Sequence, residues 1–290
     1  MRFCQSSHVA SYRYVVADVF TDTPLEGNQL AVFTDAREIP EEQLQRLAKE
    51  MNYSETVFVY TPEAGGHARI RIFTPVSELP FAGHPVLGTA FVLGAPLQLV
   101  EIRLETGVGV VPVALERDET GRIVFGRMSQ PIPTVRPFER GDELLAALGV
   151  EGPELPLELY ESGVGNVYVL LPDEDAVAAV EPDLGAVARI MGDIHANCSA
   201  GSGTRWKTRM FAPGDGVPED PATGSAAGPL AVHLARHGRI PFGAEIEITQ
   251  GVEIGRPSTL FARVDGSAER VERVEVGGSA VVVARGEFSL

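Results

Sequence analysis

Glu219-Asp220-Pro221-Ala222-Thr223-Gly224-Ser225-Ala226-Ala227-Gly228 is an acidic pair followed by a small-residue turn that opens a helix. The helix carries Leu230, Val232, Leu234 and Ala235 and has Gly238 as its stop, a residue suited to the left-handed position after a helix. Gly224 lets backbone approach a ligand closely. Ser225 is placed to cap the helix, leaving N–H groups that point outward as a site for a carboxylate or phosphate. A single turn of this kind is an ordinary capped helix, but here the chain makes it twice.

The earlier copy runs Arg71-Ile72-Phe73-Thr74-Pro75, then Glu78-Leu79-Pro80-Phe81-Ala82-Gly83-His84-Pro85. The later one runs Arg209-Met210-Phe211-Ala212-Pro213, then Glu219 to Ser225. Glu78 matches Glu219, Pro80 matches Pro221, Gly83 matches Gly224 and His84 matches Ser225, with Pro85 at the first helical position. An internal repeat implies two similar halves. Two facing helix N-termini at the crevice between them make one anion-binding cleft.

A length of 290 residues suits two domains, and 44% hydrophobic content suffices for real cores. A net charge of −16 argues against nucleic acid and against anionic lipid as partners. It leaves a small anionic substrate open. Cys4 and Cys198 make neither a disulfide framework nor a zinc set. With no signal peptide in residues 1–11 and no apolar run of membrane length, the cytoplasm is the expected location.

Residues 12–20 and 29–33 read as strands, and Pro40 to Met51 as a helix with Leu44, Leu47, Ala48 and Met51 on one face and Asn52 at its end. Residues 53–60 read as a strand in which Glu55 shares a face with Val57 and Val59. A carboxylate there is partly desolvated and fit for proton transfer, although that segment alone reads as a surface glutamate at a fraying end. Residues 68–73 feed the first turn, 86–93 form its helix, and strands follow over 97–104, 109–115 and 122–128. Gln130-Pro131-Ile132-Pro133-Thr134 reads as a linker. The second half has helices over 144–148 and 183–191, strands over 166–171 and 206–211, then strands over 245–249, 259–264, 270–276 and 279–284. That is α+β, without regular βαβ alternation.

Two weaker signals are set aside. His233 and His237 have metal spacing, but no glutamate lies between them in the HExxH manner and no third ligand is evident. Gly201-Ser202-Gly203 lacks the flanking strand and helix of a dinucleotide site and reads as a loop.

Four segments in order, Ser54-Glu55-Thr56-Val57-Phe58, Gly83-His84-Pro85, Glu219 to Ser225, and Gln250-Gly251-Val252-Glu253-Ile254-Gly255-Arg256-Pro257-Ser258, resemble the PhzF family of phenazine-biosynthesis isomerases. The resemblance runs from about Tyr12 to the C-terminus. It implies the diaminopimelate-epimerase-like fold: two pseudo-symmetric domains, each a barrel-like, mostly antiparallel sheet around a central helix, with the active site between. The halves are then 12–128 and 129–278, with residues 1–11 an extension and a strand at about 279–290 able to pack back onto the first half.

The resemblance further implies a homodimer without a cofactor or metal, and isomerisation of trans-2,3-dihydro-3-hydroxyanthranilate. By the same resemblance, Glu55 is the base and acid, and His84 and Asp220 hold the amino and hydroxyl groups and assist proton traffic. Gly83, Gly224 and Ser225 cradle the carboxylate, and Asn28 lines the pocket. Related epimerases use two cysteines beside the turns; here the turns carry His84 and Asp220, which disfavours two-base racemisation. Two other readings stand beside this one: an isomerase or epimerase of another small amino or hydroxy acid, and a non-catalytic binding protein on the same fold.

Overall fold

The computed structural model describes residues 10–290; residues 1–9, with Cys4 and most of the expected extension, lie outside that range. In chain order the first half contains β1 (Ser11–Val19), β2 (Asn28–Phe33), α1 (Glu41–Met51), β3 (Glu55–Tyr60), β4 (Ala68–Phe73), β5 (Glu78–Leu79), α2 (Gly83–Leu97), β6 (Glu101–Thr106), β7 (Gly109–Arg117) and β8 (Ile123–Gln130). Then follow β9 (Thr134–Pro137), α3 (Gly141–Leu148), β10 (Glu158–Glu161), β11 (Gly165–Leu170), α4 (Glu174–Ala178), α5 (Leu184–Met191), β12 (His195–Ser202), β13 (Arg205–Ala212), β14 (Val217–Asp220), α6 (Gly224–Arg236), β15 (Glu245–Gln250), β16 (Ser258–Gly266), β17 (Val271–Gly278) and β18 (Ala280–Ser289).

The helices differ in kind. α1 is amphipathic: Leu44, Leu47 and Ala48 are buried, acids occupy its first turn, and Asn52 ends it at φ 53°. α2 and α6 are apolar nearly all round, and α6 is buried along its whole length from Gly224 to Ala235. A helix apolar on every side must be wrapped, and a curved sheet wraps each of these two.

The two wrappings follow one plan. β2 and β3 pair in parallel, as do β11 and β12; β3 with β4, and β12 with β13, pair antiparallel. β4 takes β5 at one end and β6, in parallel, at the other, and β13 takes β14 and β15 in the same way. β18 pairs with β1 as β9 pairs with β10, so the last strand lies on the first. Neither sheet closes on itself; the two join edge to edge where β8 meets β17. One large core runs through both wrapped interiors, and smaller cores lie outside, under α1 in the first half and under α3, α4 and α5 in the second.

Several local expectations need correction. Both central helices open at the glycine, Gly83 and Gly224, so Pro85 is a third residue and Ser225 a second residue, not a cap. α2 continues to Leu97, so the strand expected over 97–104 begins at Glu101. β8 runs through Gln130 and β9 resumes at Thr134, leaving only residues 131–133 of the supposed linker outside strands. Gly201 and Ser202 end β12, so that loop is the tip of a hairpin.

Candidate active site

The N-termini of α2 and α6 meet end to end. A Cβ on Gly83 would lie 2.5 Å from the Gly224 carbonyl carbon and 2.5 Å from the Ser225 nitrogen; one on Gly224 would lie 3.0 Å from Gly83 Cα. Only glycine permits this approach. Neither helix has a side-chain cap or an acid in its first turn. Their leading N–H groups and dipoles therefore face the same small space.

Around this junction the chain gathers buried polar groups. Asp220 ends β14; its Oδ1 accepts from Asn28 Nδ2 at 2.8 Å and Ser54 Oγ at 2.7 Å, and its Oδ2 from Thr223 Oγ1 at 2.6 Å. Asn28 opens β2 and also donates to the Ala222 carbonyl at 2.9 Å. Those two bonds use both amide hydrogens. His84 Nδ1 lies 3.2 Å from the same nitrogen and 3.3 Å from Glu55 Oε2. Glu55 is the first residue of β3, on the face of Val57 and Val59 that packs toward α2.

Burial sets the electrostatics. Glu55 is pushed well above the ordinary carboxyl range by desolvation, then by the charges of Asp220 and Asp215. Desolvation lowers His84 to about 3, so its imidazole is neutral at neutral pH. Asp220 is raised by burial, with Thr223, Ser54 and Asn28 pulling it back as donors. The site thus holds one carboxyl with raised basicity, one neutral imidazole and one carboxylate braced by three donors.

The seven residues singled out from the sequence lie at or beside this junction. Four supporting residues did not stand out there. Ser54 and Thr223 brace Asp220. Gln250 donates to the Asp220 carbonyl at 2.8 Å and accepts from Thr223 N at 3.1 Å, fixing the turn, and Gln130, inside the supposed linker, donates to the Gly224 carbonyl at 2.8 Å. Arg256 explains its own motif: it bonds buried Asp18 at 2.7 Å and the carbonyls of Leu25, Glu26 and Gly27, locking the loop that delivers Asn28. Gln250 and Arg256 sat in a recognised motif, but only the fold shows what they reach.

Cys198 lies buried on the outer face of β12 with its thiol pushed up to about 12 by desolvation, unfit as a base. At the far end of α6, His233 and His237 do have a third donor-type neighbour, Glu158. Its Oε2 already accepts from Tyr160 at 2.8 Å, His237 at 2.9 Å and Arg236 at 3.2 Å. The Arg236 guanidinium already pairs with the Glu158 carboxylate, and this cluster is an ion-pair and hydrogen-bond network.

The family model described as phenazine biosynthesis-like protein, PhzC-PhzF, matches residues 17–286. A trans-2,3-dihydro-3-hydroxyanthranilate isomerase of Pseudomonas aeruginosa is 54% identical over 279 residues, covering 96% of this chain and 100% of that protein. A crystal structure of a Bacillus anthracis phenazine biosynthesis protein of the PhzF family superposes with a TM-score of 0.84 at 25% identity, over 97% of this chain and 100% of that one. In fold alone, a hydroxyproline epimerase of Agrobacterium vitis is also similar, with a TM-score of 0.65 at 13% identity over 100% and 94% of the two chains.

Proposed function

The chain belongs to the PhzC-PhzF family of phenazine biosynthesis-like proteins, and from that premise we propose that it is a trans-2,3-dihydro-3-hydroxyanthranilate isomerase. The observation that carries the assignment to chemistry is the buried Glu55 carboxyl beside two helix N-termini.

The substrate ring has double bonds at C4–C5 and C6–C1. Glu55, as carboxylate, takes the proton from C3; the C–H pair becomes C3=C4, the C4=C5 pair moves to C5=C6, and the C6=C1 pair takes a proton at C1. One carboxyl serves as base and acid when both carbons lie on the same ring face. Its raised pKa makes the carboxylate a stronger base and leaves the acid able to return its proton near neutrality. The Gly83, Gly224 and Ser225 backbone receives the substrate carboxylate. Asp220 and neutral His84 hold the amino and hydroxyl groups, with Asn28 keeping them in register. The enol product then ketonises to an aminoketone. No cofactor enters this scheme.

The reading includes a homodimer, carried by the family resemblance, working in the cytoplasm, the location expected from the sequence; light scattering on the purified protein decides the first. It also takes the repeat as two domains, 12–128 with the last strand and 129–278, supported by their common pairing order. None of the described helices is long and apolar enough to cross a membrane.

The assignment is tested by incubating the protein with the dihydro acid and following its ultraviolet spectrum and mass. Loss of diene absorbance with an isomeric product is expected. An unchanged spectrum from folded protein would overturn the assignment in favour of another small amino or hydroxy acid.

A further inference from the structure

The repeat gives Glu55 a counterpart. Thr56 pairs with Phe73 in the first half, and Ala196 pairs with Phe211 in the second. Phe73 and Phe211 are themselves matched, each two residues after the repeated arginine. Thr56 therefore matches Ala196, and the residue before it, Glu55, matches His195. The parallel neighbours agree, with Leu30 opposite Glu55 and Asn166 opposite His195.

His195 opens β12 as Glu55 opens β3. It shares a face with Asn197, which lines a small cavity with Thr223 and Ala226 against the first turn of α6. It thus sits at the mouth of the second wrapped sheet, level with the helix N-terminus, as Glu55 does in the first. Its ring is buried, and Nε2 lies 2.9 Å from Asp215 Oδ2. Asp215 lines a cavity of about 400 Å³ at the seam, with Glu78, Leu79 and Pro80 from one half and Gly163, Val164 and Gly165 from the other. Both residues lie near the site's carboxyls, Asp215 near Glu55 and His195 near Asp220.

The other ring nitrogen, Nδ1, is buried with no protein partner among the described residues. Of the ten other buried side-chain atoms in that condition among the described residues, Glu55 Oε2 and His84 Nε2 lie at the junction. A buried polar atom left unpaired is costly, so a ligand that pairs with it gains. With Nε2–H donated to the Asp215 carboxylate, Nδ1 presents a lone pair.

We propose that His195, oriented by Asp215, is a further substrate-contacting residue on the wall opposite Glu55, its Nδ1 accepting a hydrogen bond from the substrate's amino or hydroxyl group. This rests on the isomerase assignment. It makes the second half contribute to recognising the ring substituents through a strand, as well as through the α6 turn.

Two variants separate a ligand contact from a structural one. In His195→Gln the side-chain amide takes the place of Nε2 and keeps a donor to Asp215, while Nδ1 is lost. In His195→Asn the amide takes the place of Nδ1 and the Asp215 bond is lost. With the dihydro acid as substrate, His195→Gln is expected to raise KM roughly three- to tenfold, the worth of one neutral hydrogen bond, with kcat within about twofold and thermal unfolding unchanged. His195→Asn is expected to recover much of KM while unfolding at lower temperature. Binding of anthranilate and of 3-hydroxybenzoate then shows which substituent donates: the variant weakens only the analogue that carries it. Wild-type KM in His195→Gln, or a KM that follows stability across the two variants, would overturn the proposal. A wild-type protein that does not turn over the dihydro acid removes its premise, an outcome distinct from both.

Discussion

At the scale of single residues, the site is bought at a cost in stability, and Glu55 shows it most directly. Its folded-state pKa is raised by burial and by neighbouring acids. The folded protein therefore binds this proton more tightly than the unfolded chain, and stability falls as pH rises above the ordinary carboxyl value. Glu55→Gln removes that term. The variant is expected to melt higher than wild type at pH 8, with the gap narrowing toward pH 4; equal melting temperatures across that range would contradict the burial argument. Gly83→Ala is expected to lose activity by more than tenfold, because its methyl group meets backbone, not a yielding side chain, at the α6 turn. Gly83 was legible in the sequence because an unusual run appears twice, whereas Glu55 stood out only through the family resemblance, its own segment reading as a surface glutamate. The cap was not. Thr223, not Ser225, precedes α6, and its hydroxyl turns away from the helix to serve Asp220.

At the scale of elements, the repeated arginines do different amounts of the same job. Arg209 forks onto Glu219 at 2.9 and 2.8 Å and donates to the carbonyls of Val177, Ala178 and Val180, so it ties β14 and its Asp220 to β13 and to the α4 turn. Arg71 forks onto Glu78 at 2.7 Å twice, and onto Glu41. The second-half pair is about nine-tenths buried, whereas Glu78 and Glu41 are 42% and 72% exposed. Removing one partner of a buried pair costs about 3–5 kcal/mol, against about 0–1 for an exposed one. Arg209→Leu is thus expected to lower urea stability by several kcal/mol and Arg71→Leu by about 1; equal losses would refute the contrast. The strand–turn–helix repeat was readable from these arginines and the following phenylalanines. β12 was not, because His195-Ala196-Asn197-Cys198-Ser199 hides polar residues on its inner face, where Asn166 pairs with Asn197 and Thr208 with Ser199. Its face alternation carries no hydrophobic signal.

At the scale of the molecule, the two halves meet at several places, among them the helix junction, the β8–β17 edge and the bonds of Arg256 to the loop before Asn28, and the chain closes by the return of β18 to β1. β18 pairs with the whole of β1, and Phe288 stacks with Phe33 and against Tyr14. Removing residues 280–290 is expected to strip hydrogen-exchange protection from β1 while sparing β12 and β13; uniform protection would show that the strand is dispensable. The α+β class followed from many predicted strands around few helices, and the two-half plan from the repeat. The open edges and their joining did not, because strand partners far apart in sequence leave no local pattern. The central claim is that Glu55, at the meeting of the two halves, moves the proton. Turnover of trans-2,3-dihydro-3-hydroxyanthranilate by wild type and Glu55→Gln, with binding of 3-hydroxyanthranilate measured alongside, tests it most directly. A loss of roughly 10²–10⁴-fold or more in kcat with binding retained is predicted. Near-normal turnover by the variant would contradict the account.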